Sequence, residues 1–339
     1  MSATTTTAPG KGPVDPSGRG RPRGAGLPRG LAWLVLRQHR TALLVCAAAV
    51  LLGSAWMVYQ RGAMLDSLRA AGWNGSWNGT STELRDGNLA NRIQNTINSY
   101  GSSLDSLPLL LGAFLGAPLI SSDQERGTVR LVTTQSVSRG RWLCWKVGFA
   151  LTLAALTVLP LGLVYGWFWR SAGPFAPHDW LSGGLFAATG PMPVAQALFH
   201  TALGITVGAL LRRTVPAMAL TLFTSYAVSL VAEVYRDRAG TPRRIAFPLE
   251  GAQPAFLDHV VQVDQWIGTA SGKLYGWGTC VHEPSPEACR ASLGIVNSVW
   301  DYYERGQMAG LQWTWAALYL TVAAALIAGL LWRSRRAPL

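Results

Sequence analysis

The sequence predicts an all-α integral membrane protein with six transmembrane helices and both termini on the cytoplasmic side. Three observations carry that expectation. The chain of 339 residues is 49% hydrophobic and only 14% charged, and its apolar residues are clumped into runs of about 20, the length that crosses a hydrocarbon core of roughly 30 Å at 1.5 Å per residue. Its 15 tryptophans suit the headgroup level, where an indole is half buried. The net charge of +12 is read as the basic marking of a cytoplasmic side. No nucleic-acid partner is expected, because membrane lipid offers the basic stretch GRGRPRGAGLPRG the same negative partner at closer range.

Residues 1–26, mostly Thr, Pro, Gly and Arg, read as a disordered basic tail. They lack the apolar core of a cleavable signal. Residues 27–339 read as one six-helix transmembrane domain. The stretch from Leu27 to Arg40 places Leu31, Leu34 and Val35 on one face, as a short interfacial helix or as the leading end of the first span. The six spans are expected at about 41–59, 104–120, 147–169, 194–211, 214–235 and 313–332. Upstream of the second, Ile93, Ile97, Tyr100, Leu104 and Leu107 keep a helical period, so that helix is expected to begin outside the membrane.

Counting Lys and Arg orients the chain: 17 of the 29 fall in the short pieces 1–40, 121–146, 212–213 and 333–339, against 12 in the longer alternate loops. Basic residues in short flanking loops mark the inside, which places both termini in the cytoplasm and the protein in the cell membrane.

Within the spans, Gly112 and Gly116, Gly162 and Gly166, and Gly204 and Gly208 are each four apart, a spacing that lets helix backbones approach closely. Pro160 is expected to kink the third span, while Pro216 falls in the first turn of the fifth, where a missing N–H costs little. Only Arg212 and Arg213 separate spans four and five, which makes those helices antiparallel neighbours.

The extracytoplasmic loop 236–312 holds Cys280 and Cys289, for which a disulfide is the economical reading. A metal site using His282, Glu283 and Glu287 is the alternative, although their spacing matches no standard ligand set. No metal is therefore assigned. Cys46 and Cys144 read as free thiols. The sequons at Asn74 and Asn78 fall in the first outer loop.

Catalytic motifs are missing from the sequence. It contains no GxxxxGK[ST] phosphate loop and no HExxH, and no Ser, His and Asp set gathers at compatible depths. No catalytic residue is assigned. Ionisable residues within the spans are few: His200, near Gln196 and Thr201, is the deepest, with Asp105 and Glu233 close to the outer ends of their helices. Gln196 and His200 are therefore candidates for a substrate path, against the plainer reading of His200 as a neutral, hydrogen-bonded core residue.

The segment between spans two and three, SSDQERGTVRLVTTQSVSRGRWLCWK, is the densest in charge. Ser122 followed by Glu125 matches a capping box, so a short helix is expected from Asp123 to about Leu131. Gly127 and the β-branched residues after it should end that helix. RGRWLCWK then resumes helix into span three, with Trp142 and Trp145 at the interface.

With its flanks, GAPLISSDQERGTVRLVTTQSVSRGRWLCWK resembles the cytoplasmic signature of permeases of the type-2 ABC exporter family, its actinobacterial members in particular. The resemblance rests on Glu125, Gly127, Thr128, Thr134, Gln135, Ser136, Val137, Ser138, Arg139 and Lys146. LLRRTVPAMAL between spans four and five is also similar to that family. The resemblance implies a non-catalytic membrane permease subunit, paired with a second permease copy (homodimer or heterodimer) around the substrate path. It also implies a separate ABC ATPase subunit that binds the ATP and Mg, this chain binding no cofactor. Asp123, Glu125, Arg126, Gly127, Thr128, Arg130, Arg139 and Lys146 would then form the coupling segment that docks on the ATPase. The loop before the last span, usually short in that family, runs 77 residues here. Two alternatives stand beside this reading: a membrane sensor or immunity protein with a ligand-binding outer loop, and an ion- or proton-coupled carrier using His200.

Overall fold

A computed structural model of the chain describes residues 36–74, 87–127, 139–181 and 184–336. Among them, six helices are long and apolar enough to cross a membrane. The first, α1 (Arg40–Ala70), is followed by α2 (Asn88–Leu111), which passes through a π-helical turn (Gly112–Gly116) into α3 (Pro118–Glu125). Next come α4 (Arg139–Ser171), a short buried α5 (Gly184–Ala188), α6 (Met192–Leu211) and α7 (Thr214–Tyr235). After a β-sheet region, α9 (Met308–Arg336) closes the chain. α7 coincides with its predicted span and the other five overrun theirs at one or both ends; α1 continues eleven residues past Tyr59 and α2 begins at Asn88, as the upstream periodicity indicates. The expected tail 1–26 and the residues after it up to 35 lie outside the described residues.

α6 is the most buried of the six and α1 the least. Leu44, Val45, Leu51 and Leu52 of α1 are uncovered, as suits a helix whose solvent is lipid tails rather than water. Against α6, by contrast, other helices approach backbone to backbone. A Cβ added at Gly204 would lie 2.1 Å from the Gly112 carbonyl oxygen, and one at Gly208 would lie 2.2 Å from that of Ala117. The π turn makes this contact possible. Ala117 N donates to Gly112 O across five residues at 2.9 Å, which widens the helix and turns Gly112 and Gly116 toward His200 and Thr201 of α6. The pair in α4 behaves differently: Gly162 meets Ala188 O and Pro193, and Gly166 meets only the tip of Arg170. A further backbone crossing joins Gly101 of α2 to Gly184 of α5. Buried Gln312 of α9 holds the end of α5, its Nε2 donating to Phe186 O at 2.9 Å and Thr189 O at 3.2 Å.

The 236–312 loop, to which the sequence reading assigned no structure, forms a small antiparallel sheet. Its strands β1 (Arg243–Pro248), β2 (Val261–Thr269), β3 (Leu274–Gly276) and β4 (Ile295–Tyr303) lie in the order β1-β4-β2-β3. Central β4 is covered on both faces. Tyr303 joins Trp180 and Val261 in the core of the helical bundle, while Trp300 and Tyr302 pack with Leu257 in a separate small cluster. Tyr303 Oη donates to Asp237 O at 2.7 Å. A Cys280–Cys289 disulfide staples the loop before α8 (Pro286–Ser292), whose first turn is capped by Ser285. Cys46 is buried and Cys144 exposed, both free.

Across β1 and β4, Arg244 grips Asp301 with a two-bond fork, Nε to Oδ1 at 2.6 Å and Nη2 to Oδ2 at 2.7 Å, and Trp266 Nε1 adds a third bond at 3.3 Å. Those donors, Arg244 first, hold the Asp301 carboxyl below the usual carboxylate range.

Two outcomes follow from these contacts. Gly204→Ala should cost about 1–3 kcal/mol through overpacking and lower the thermal midpoint of the purified protein, whereas Gly148→Ala, with nothing within 4 Å of the new Cβ, should leave it unchanged. Because the folded-state value of Asp301 is depressed, its stabilisation is present above the unfolded value near ~3.9 and is lost as pH falls through the folded value. Pepsin should therefore cut the sheet region of Asp301→Asn faster than wild type near pH 4.5. That difference should vanish at the acid end of the enzyme's range, and a gap independent of pH would rule the fork out as its cause.

Candidate functional site

Two regions of the bundle gather polar side chains, one at the end where α3 stops and α4 begins and one near the sheet.

At the first of these, α3 is the continuation of the second spanning helix, and its charges are used differently from the sequence expectation. Ser122 is not an N-cap. It sits inside the helix and its Oγ donates back to Pro118 O at 2.6 Å. The helix ends at Glu125 instead of starting at Asp123, with Arg126 closing it and Gly127 at φ +69°, the left-handed stop that glycine adopts readily. Local propensity lost here to the apolar helix behind it, which runs on through Ser122 without a break. The remainder of the expected helix, with Thr128 and Arg130, lies outside the described residues, as does the linker before Arg139, where α4 begins.

Lys146 of α4 is 1% exposed, and Asp123 is also buried. The ammonium of Lys146 donates to Asp123 Oδ2 and, at 3.1 Å, to Leu119 O, and lies 4.9 Å from the Trp142 ring. Trp142, expected at the interface, is thus buried beneath this cation, while Trp145 is exposed. Gln38 Nε2 reaches Asp123 Oδ1 at 3.3 Å. One carboxylate therefore ties the segment just before α1, α3 and α4 together.

Two residues further along, Glu125 is exposed and caps a different helix. Its Oε2 accepts from Thr214 N at 3.1 Å and from Thr214 Oγ1 at 2.7 Å. These are orphan donors at the start of α7, where Arg213 supplies no side-chain cap. The α6–α7 turn is tight enough that Arg212 adopts φ +58°. Glu125, Arg126, Arg212 and Arg213 together form an exposed charged surface at this end.

Near the sheet, a cavity of about 160 Å³ opens between α2, α6, α7 and α9. Its lining includes Asp105, Gln196, Tyr226, Glu233, Arg236 and Tyr319. Gln196, expected on a substrate path, lines this cavity and bonds Asp105 Oδ1 through Nε2 at 3.4 Å. His200, expected beside it, does not reach the cavity. It is 0% exposed and both ring nitrogens lack a hydrogen-bond partner, so it is not the hydrogen-bonded core histidine of the plainer reading either. Its ring packs against Phe199, centroids 4.8 Å apart.

Below Asp105 the uncovered face of α2 is polar: Asn91, Arg92, Asn95, Ser99, Ser102, Ser103 and Ser106 are exposed. Several of these hydroxyls bond back to their own helix, as Ser103 Oγ does to Ser99 O at 2.9 Å. The face presents oxygen and amide groups where the uncovered faces of its neighbours present leucine and valine. The sequence reading placed α2 upstream of Leu104 outside the membrane, where a polar face is solvated, and did not single out these residues. It missed Thr214 because the partner that caps it lies 89 residues away.

A family model described as ABC-2 membrane transporter related matches residues 47–236, more than half of the chain, and the match stops where the sheet region begins. No curated protein and no solved structure matches the chain.

The Asp123–Lys146 pair generates a double-mutant test. Asp123→Asn leaves a buried ammonium without its countercharge and should cost about 3–5 kcal/mol. Asp123→Leu combined with Lys146→Met should recover most of that in thermal midpoint. Additive losses would show that the two residues act independently.

Proposed function

The chain belongs to the ABC-2 membrane transporter related family, and from that premise we propose that it is the transmembrane permease subunit of an ATP-driven exporter, working as a pair of permeases beside a separate ATPase. The observation that carries this reading is the uncovered polar stripe of α2 beside the Asp105 cavity. Water covers the part of this face outside the membrane. Where the helix enters at Ser102 and Ser106, beside Asp105, a second copy or a water-lined passage supplies polar partners that lipid tails lack.

In this reading both termini are cytoplasmic, and the ATPase meets the exposed surface of Glu125, Arg126 and the Arg212–Arg213 turn. In the same reading Thr128, Arg130 and Arg139 complete the contact. Glu125 sits on the start of α7 and Asp123 on Lys146 of α4. A displacement of α3 therefore passes into two spanning helices at once, and through the π turn into α6. ATP and Mg bind the partner; this chain's part is mechanical, and it contributes no catalytic group.

Cysteines placed singly at Ser99, Ser103 and Ser106 in a Cys144→Ser background should cross-link two copies in native membranes, and an ATPase subunit should remain with the gently solubilised protein. Absence of cross-linking at all three positions would remove the paired path, and absence of any ATPase would remove the coupling.

A further inference from the structure

The cavity beside Asp105 carries a chemical preference. It is lined by two carboxylates, Asp105 and Glu233, against one guanidinium, Arg236. That guanidinium is already engaged with the protein, Nη1 donating to Leu181 O at 2.7 Å and the plane lying 5.0 Å from the Phe186 ring. The carboxylate of Asp105 receives one long hydrogen bond, from Gln196. Gln196 is itself 4% exposed, and its Oε1, an acceptor, has no partner among the described residues; Ser229 Oγ on the same lining is also unpartnered. The Gln196 oxygen can only accept and the Ser229 hydroxyl can accept as well as donate, so both can receive hydrogens from a ligand, and the aromatic rings of Tyr226, Trp315 and Tyr319 stand around them. A buried acceptor left without a donor costs free energy that a donor-rich ligand recovers, and electron-rich rings favour a cation over a neutral donor.

Size narrows the ligand further. A volume of about 160 Å³ holds roughly five waters at ~30 Å³ each, well below the ~300–1,000 Å³ of a site for a whole drug-sized molecule. The cavity fits a head group. Its rim includes exposed Leu230 and Tyr226 of α7, so a chain attached to that head leaves along an apolar surface.

We propose that this cavity binds the ammonium head of an amphipathic amine, Asp105 and the Gln196 carbonyl oxygen accepting its hydrogens and the aromatic wall covering its charge. The inference rests on the α2–α7 seam being the cargo path and gives that path a substrate class.

The test uses the purified full-length chain in nanodiscs of neutral phosphatidylcholine, with three dansyl-tagged probes of one chain length: a primary amine, a carboxylic acid and an alcohol. Energy transfer from tryptophan to dansyl reads binding. The amine should bind about tenfold more tightly than the other two, the scale of one charge-assisted contact. Asp105→Asn and Gln196→Leu should each remove most of that preference and leave the alcohol unchanged. Should Asp105→Asn fail to fold by size exclusion, Glu233→Gln should still lower amine binding severalfold. Equal binding of the three probes, or an amine preference that survives in the folded variants, would overturn the assignment. The measurement needs neither an ATPase nor a second copy, so its failure and the failure of cross-linking are separate results.

Discussion

The structure depends on α6 having neighbours that touch its backbone. Gly204 and Gly208 face the carbonyls of Gly112 and Ala117 with no room for a single carbon, and that fit exists only because the second spanning helix widens into a π turn at the same level. In lipid, burying apolar surface offers helices no advantage over lipid contact, so close packing and polar contacts hold a bundle together. The contact here is made by absence of side chains, and it fixes where α3 emerges, where α7 turns back and how α9 lies against its neighbours.

Much of this was legible in sequence. Six apolar runs, the two-residue Arg212–Arg213 turn and the Gly112, Gly116, Gly204 and Gly208 spacing each depend on local chemistry, and local chemistry is what a sequence displays. The Cys280–Cys289 disulfide was legible for the same reason. The π turn was not, because nothing in GAFLG distinguishes it from ordinary helix until α6 is set against it. The sheet was not, because β3 has three residues and the inner strand β4, covered on both faces, lacks the alternation that marks a strand. The capping-box reading of Ser122 failed where a valid local signal met a longer helix already in progress.

The charged end illustrates how a site's members divide between roles. Asp123 and Glu125 are two residues apart in one helix, yet one carboxylate is buried on Lys146 and the other is exposed on Thr214. Helical geometry requires such a split, since residues two apart point to different sides. The buried pair adds little net stability over an apolar substitute but is costly to break singly, which makes it a device for fixing how α3 and α4 sit together. The exposed one costs little to move. A segment with one fixed and one movable anchor turns about the fixed one.

The sheet leaves the bundle after α7 and returns to α9 through β1 and β4, which are paired side by side, and Tyr303 and Gln307 bond back to Asp237 and Thr241 beside the point of departure. Spans five and six are consequently as near one another as a short loop would hold them. An insertion with joined ends sets no spacing of its own between the two spans it separates, and the hold it keeps on the bundle is through Val261 and Tyr303 in the shared core. The family match ends at residue 236, where the chain leaves the bundle for the sheet.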